Sequence, residues 1–257
     1  MSKIADLIRR VTRIEPGPIG FGAGPRKRPP TMALVALVGE RWPQHTREAI
    51  EAGADAVILS SRPGDRDLKE AAGAAGGHAC GLRMSGGELD LAKVREAGVD
   101  FLVLDLASPA SALLDEELGF VMHVSGELSD AQLRALEPSP IDAVSLEHDV
   151  DVATVAGLLE LRRVVGLARR ALLAQVRADA QQGDLLALRQ AGVALVGVDT
   201  NDRGAIEAIK RLRGVIDELP APPKRKREEA EIRLPTAASR AVAPADDDDE
   251  EDEEDDE

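Results

Sequence analysis

Four segments of the chain reach a polar side chain at the same offset of seven from a residue that ends a helix. They run from Gly53 to Ser60, Gly98 to Asp105, Pro140 to Glu147 and Gly192 to Asp199. Each passes through a Val-, Leu- or Ile-rich run on the way. If the four ends lie at one height around an enclosed site, three carboxylates converge there. Carboxylates at close range repel, and relief comes from a raised pKa, a cationic partner or a metal. A hard divalent ion such as Mg²⁺ or Mn²⁺ prefers oxygen ligands and often needs two carboxylates plus water and substrate oxygens. Asp105, Glu147 and Asp199 are the expected metal ligands, with Glu147 doubling as an acid–base group.

The apolar runs between these four supply the complementary groups. Arg83 ends the third run and, with Arg62, is placed to clamp a carboxylate or phosphate. His123 on the fifth is the expected proton carrier. Ser60, Gln175, Thr200 and Asn201 complete the expected substrate contacts. A metal there would polarise a carbonyl or enolate oxygen while an arginine holds the anionic end. The competing structural expectation is a closed salt-bridge network, in which Arg83 and Arg41 pair with the carboxylates and tie that end of the fold together.

Several chemistries are disfavoured. All seven lysines (3, 27, 69, 93, 210, 224 and 226) lie outside the expected strand ends, which argues against a Schiff-base lysine. Cys80, the single cysteine, sits inside an apolar run and reads as a small core residue. The glycine run Gly17, Gly20, Gly22 and Gly24 neither follows a strand nor opens a helix, so it reads as a connector. No flavin or nicotinamide fingerprint is present. Four aromatic residues and no Tyr leave few stacking platforms for bases, so nucleic acid is not an expected partner.

The elements that must position these side chains can be counted. Apolar runs at about 33–38, 55–60, 79–84, 100–106, 120–125, 142–147, 170–176 and 194–199 give eight strands, each preceding a helical segment. Continuous apolar strands separated by helices indicate a parallel sheet covered on its outer face. Eight such units predict closure into a (β/α)₈ barrel, with a doubly wound open sheet as the alternative. Residues 31–219 are 189 in number, just under the roughly 200 that this fold usually takes, so the loops must be short. The fourfold repeat strengthens the barrel, because alternate strands feed the same interior layer and functional groups come from the carboxyl ends of strands.

The segments Gly53-Ala-Asp-Ala-Val-Ile-Leu and Gly98-Val-Asp-Phe-Leu-Val-Leu resemble the helix-to-strand joints of (β/α)₈ TIM-barrel enzymes, a superfamily that includes phosphate-binding barrels and metal-dependent aldolases. The resemblance covers about residues 31 to 219 and implies the fold. The acids on strands four and six are similar in kind to those of metal-dependent aldolases and lyases. Gly-rich phosphate loops after strands seven and eight are missing, which points away from the phosphate-binding branch.

Flanking this region, residues 1–30 are expected to form an amphipathic leader helix (Ile4, Leu7, Ile8, Val11 and Ile14, with Ser2 as N-cap) and a Gly/Pro connector. Residues 220–257 are expected to be a disordered charged tail, basic at Lys224–Arg227 and wholly acidic over Asp246–Glu257. The net charge of −15 is therefore uneven, since the chain without those last twelve residues holds 35 acids against 32 bases. A polyanion of this kind either solubilises the chain or attracts a basic protein partner. No apolar stretch approaches the roughly 20 residues of a bilayer span, and no secretory signal is recognisable, so the expected location is the cytoplasm. Homo-oligomerisation is left open. The expected function is binding of a small anionic carbonyl compound, with divalent-metal-dependent lyase or aldolase chemistry. The alternative is a non-catalytic barrel that serves as a scaffold, using the leader helix and acidic tail as contacts.

Overall fold

A computed structural model describes residues 2–12, 30–61, 63–84, 90–124, 128–146 and 154–220. The strands are β1 (Ala33–Val38), β2 (Ala56–Leu59), β3 (Ala79–Arg83), β4 (Phe101–Leu104), β5 (Gly119–Val124), β6 (Ala143–Leu146), β7 (Ala171–Gln175) and β8 (Val193–Asp199). They pair in parallel in sequence order, and β1 pairs with β8 to close the barrel. The helices are α1 (Lys3–Thr12), α2 (Trp42–Glu51), α3 (Asp65–Ala74), α4 (Leu91–Glu96), α5 (Asp130–Ala135), α6 (Val155–Ala168), α7 (Gln182–Ala191) and α8 (Ala205–Glu218). The expected (β/α)₈ fold is thus observed, and the open-sheet alternative is excluded by the β1–β8 ladder.

One expected helix is absent. Between β4 and β5 the chain makes a one-turn 3₁₀ helix, Ala110–Leu114, where an α-helix was expected. The Asp105 carboxylate accepts from the Ala107 N–H at 3.0 Å and the Ser108 hydroxyl at 2.8 Å, and Pro109 follows. This side-chain-to-backbone turn competes with helix formation, and Pro109 supplies no N–H to continue one.

The pleat divides the apolar residues into two cores. Outward-facing Leu34, Val57, Leu82, Leu102, Val144, Leu172 and Val196 pack under the surrounding helices. Inward-facing Val35, Ile58, Phe101, Val103, Val121 and Leu173 fill the barrel. Phe101 stands opposite Gly81, where an added Cβ would lie 2.3 Å from the ring, so the glycine is what admits the phenyl group. Gly53 and Gly192 end helices in the left-handed conformation, at φ +107° and +101°, which only glycine adopts without strain.

Helix α1 belongs to the second core. Ile4, Leu7, Ile8 and Val11 are buried together with Ala33, Ala56, Phe101 and Val121, so the leader closes the amino-terminal end of the barrel. Ser2 caps it as expected, its hydroxyl accepting from the Ala5 N–H at 3.3 Å. Gly119 at the start of β5 leaves room for the docking: a Cβ there would sit 2.5 Å from Ser2 Oγ and 2.7 Å from Ile4 Cγ2. None of the helices among the described residues is long and apolar enough to cross a membrane. Ile14, the Gly/Pro connector up to residue 29 and the charged tail beyond Pro220 lie outside the described residues.

Candidate functional site at the barrel mouth

At the carboxyl ends of the strands the inward-facing row turns polar. Parity along each strand decides which side chains meet there: Arg83 follows Gly81, His123 follows Val121, Ser145 follows Ala143 and Gln175 follows Leu173, each two residues on. With Ser60 they line a small cavity of about 60 Å³, floored by Leu37, Ile58, Val103 and Leu173. Four residues expected from the sequence, Ser60, Arg83, His123 and Gln175, are therefore together. Ser145 was missed, although its signal was available, because it lies two residues beyond the inward-facing Ala143 on the same strand.

His123 is only 6 % exposed. Its Nδ1 lies 3.5 Å from Ser145 Oγ, at the outer limit of a hydrogen bond. Arg83 is half-buried, and no carboxylate among the described residues pairs with it. Nor does one pair with Arg41, which is exposed and left-handed at φ 49° just before α2. Neither arginine thus makes the expected pairing with Asp105 or Asp199, while Glu147, the third carboxylate of the expected network, lies outside the described residues.

The remaining candidates are placed differently. Asp105 is held in the turn after β4 by Ala107 and Ser108. Asp199 ends β8, and its Oδ1 accepts from the Asn201 N–H at 2.8 Å. Thr200 is buried and donates twice to the Leu37 carbonyl, from its N–H at 2.9 Å and its hydroxyl at 3.1 Å, which ties the end of β8 to β1. The Asn201 side chain packs against Gly39. Glu147 and Arg62 lie outside the described residues. Among the described residues no three His, Cys, Asp or Glu side chains gather to hold a metal.

The opposite end carries acids that were not singled out as a group. Asp55, Asp100 and Asp142 occupy the third position of three of the four repeats, which was the signal. Asp55 accepts from the Leu34 N–H at 2.8 Å and from Arg213 at 2.9 Å. Asp142 accepts from the Phe120 N–H at 3.0 Å, and burial raises its carboxyl above the ordinary range against the opposing pull of that bond. Asp100 receives the first free amides of α1, from Lys3 at 2.8 Å and Ile4 at 2.9 Å. These amides would otherwise lack partners at the helix start. Cys80 on β3 is buried, and burial, assisted by the Asp100 charge, pushes its thiol up to about 12, as befits a core residue.

No protein-family model and no curated protein matches the sequence. Solved structures do. Thiamine phosphate pyrophosphorylase from Pyrococcus furiosus aligns at a TM-score of 0.57 and 17% identity, over 73% of this chain and 96% of that one. An HpcH/HpaI aldolase from Desulfitobacterium hafniense DCB-2 gives 0.52 and 14%, over 74% and 94%. KGPDC from Streptococcus mutans gives 0.59 and 6%, over 73% and 99%. The chain is a TIM barrel. At these identities the likeness is one of fold, and the activity has to be argued from the mouth of this barrel itself.

Proposed function

We propose that the barrel mouth binds the carboxylate end of a small oxo acid and that the protein is a lyase of the aldolase type. The observation that carries this is Arg83, a half-buried guanidinium on the cavity wall with no carboxylate partner among the described residues. A planar guanidinium in that position suits a planar carboxylate, which it can grip through two parallel hydrogen bonds. The cavity size refines the substrate. At about 60 Å³ it has the volume of roughly two waters, far below the several hundred Å³ of a typical ligand pocket. It suits the carboxylate and oxo group of a two- or three-carbon acid, with the rest of any larger substrate projecting outward from the mouth.

Within that pose the polar side chains have separate tasks. Ser60, Ser145 and Gln175 offer hydrogen bonds to the oxo and carboxylate oxygens. His123 is the proton carrier. In the cleavage direction it takes the proton from a substrate hydroxyl as the carbon–carbon bond breaks. The bonding pair passes into the enolate of the oxo acid, which is then protonated at carbon. The donors of the wall, Arg83, Ser60, Ser145 and Gln175, would hold the oxo acid in place while this happens. Asp105 and Asp199 do not by themselves make a metal site among the described residues. Mg²⁺ or Mn²⁺ would depend on Glu147 joining Asp105 and Asp199.

The full chain melted with glyoxylate and with pyruvate, each with and without Mg²⁺ or Mn²⁺, tests this. A rise in melting temperature with either acid, lost in Arg83→Gln, supports the site. A rise that requires the cation and is lost in Asp199→Asn adds the metal. If no acid stabilises the protein under any of these conditions, the non-catalytic scaffold takes precedence, a reading favoured by the small cavity. The apolar face of α1 would not be its contact element, because that face is buried against the barrel.

A further inference from the structure

A second cavity, larger than that of the mouth, lies at the other end. A groove of about 420 Å³ runs between α1 and the turn that joins α3 to β3, lined by Lys3, Asp6 and Arg10 of the helix, Asp55 before β2, and the Gly76–Gly77–His78 turn. This volume is within the range of small-molecule sites, whereas the mouth cavity is far below it. Lys3, Leu7 and Arg10 are spaced i, i+4, i+7 and so lie on one stripe of α1, their backbone positions separated by about 10 Å along the axis, a gap that the long side chains of Lys3 and Arg10 can close.

The cations and carboxylates lining this groove do not pair with one another. Asp6 is paired with Arg9, and Asp55 with Arg213 at 2.9 Å, an arginine it shares with Asp217 at 2.7 Å. Neither the Lys3 ammonium nor the Arg10 guanidinium has a carboxylate partner among the described residues. The groove therefore presents two cations without a direct ion pair among the described residues, and a matching ligand carries an anionic group. It also presents acceptors. His78 Nδ1 lies 2.9 Å from the Ala75 carbonyl, which leaves Nε2 directed elsewhere as an acceptor when the ring is neutral. The carboxylate oxygens of Asp55 and Asp6 beyond their arginine bonds are acceptors too. A simple inorganic anion would use the cations and be repelled by those carboxylates. A polyol carrying one phosphate would use both sets, its phosphate between Lys3 and Arg10 and its hydroxyls donating to Asp55, Asp6 and His78.

We propose that this groove at the amino-terminal end of the barrel is a binding site for a sugar phosphate, formed jointly by α1 and the α3–β3 turn. Because α1 closes the barrel, a ligand bridging the helix and the turn would also fasten that closure. The site is remote from Arg83 and stands whether or not the mouth is catalytic.

Calorimetric titration of the full chain with ribose 5-phosphate at constant ionic strength tests it, with ribose and inorganic phosphate as the two half-ligands. The expected result is saturable binding to ribose 5-phosphate, with each half-ligand weaker by roughly tenfold or more. The double variant Lys3→Gln with Arg10→Gln should weaken binding by a similar factor of about ten or more, since two charge-assisted bonds are lost. A charge-matched control, Lys69→Gln with Lys210→Gln, should bind as the parent does, and so should Arg83→Gln. The His78 ring resonances should shift during the titration while those of His123 stay in place. Absence of saturable binding, equal binding of phosphate and ribose 5-phosphate, equal loss in the control variant, or a shift at His123 instead of His78 would each overturn the proposal.

Discussion

The two ends of the barrel treat their polar groups in opposite ways. At the amino-terminal end, the three repeat carboxylates Asp55, Asp100 and Asp142 each receive a backbone N–H, and α1 covers the interior. At the carboxyl end, Arg83, Gln175 and Ser60 line a cavity, and no ion pair among the described residues ties Arg83 down. Satisfied polar groups that hold backbone in place contribute to stability, whereas groups poised on a cavity wall contribute to binding. The difference between the ends is one of task, and substitutions at the two ends should separate it.

The largest effect on stability is expected at the closed end. Ile4→Ala removes most of a side chain that is 1% exposed beneath the barrel, so denaturant unfolding should show a loss of about 2–5 kcal/mol. Asp100→Ala leaves two amides of α1 without their acceptor and should cost about 1–3 kcal/mol, with the leader helix losing hydrogen-exchange protection first. At the same end, Cys80 should resist alkylation in the folded protein at pH 8, because a thiol held near 12 carries almost no thiolate there. Rapid modification without unfolding would show that this strand is open to solvent.

The smallest effect is expected at Asp142. Burial raises its folded-state pKa, so folding favours the protonated carboxyl, and this contribution is complete below the unfolded value of about 3.9 and lost as pH rises through the raised folded value. Asp142→Asn keeps an acceptor for the Phe120 N–H and removes the titration. The stability of the variant relative to the parent should rise as pH increases through the mildly acidic range, ending equal or slightly greater at neutrality. A relative stability that falls with rising pH would mean that ionised Asp142 is favoured by its surroundings.

Much of the architecture is legible in the chain because it is local. Each strand is a continuous apolar run, and glycines such as Gly53 and Gly192 mark where helices must stop. The missing helix between β4 and β5 was less legible, since it depends on Asp105 turning back onto Ala107 and Ser108. The docking of α1 was not legible, because it depends on the absence of a side chain at Gly119, far along the sequence from Ile4. The mouth was half legible. Strand parity brings Ser60, Arg83, His123 and Gln175 into one cavity, and the same parity pointed to Ser145, which a search for carboxylates passed over. The roles of Thr200 and Asn201 depended on contacts to Leu37 and Gly39 across the closure of the barrel, and no local pattern encodes those.

Arg83 is where the two ends are most directly set against each other. Pyruvate binding and thermal melting measured on the same preparation of Arg83→Gln decide between a binding group and a structural one. A binding role predicts a melting temperature within about 2 °C of the parent, the shift expected from under roughly 1 kcal/mol in a domain of this size, together with a loss of about tenfold or more in pyruvate affinity. A melting temperature that falls by several degrees with pyruvate affinity unchanged would contradict it, and would make the open end of the barrel as structural as the closed one.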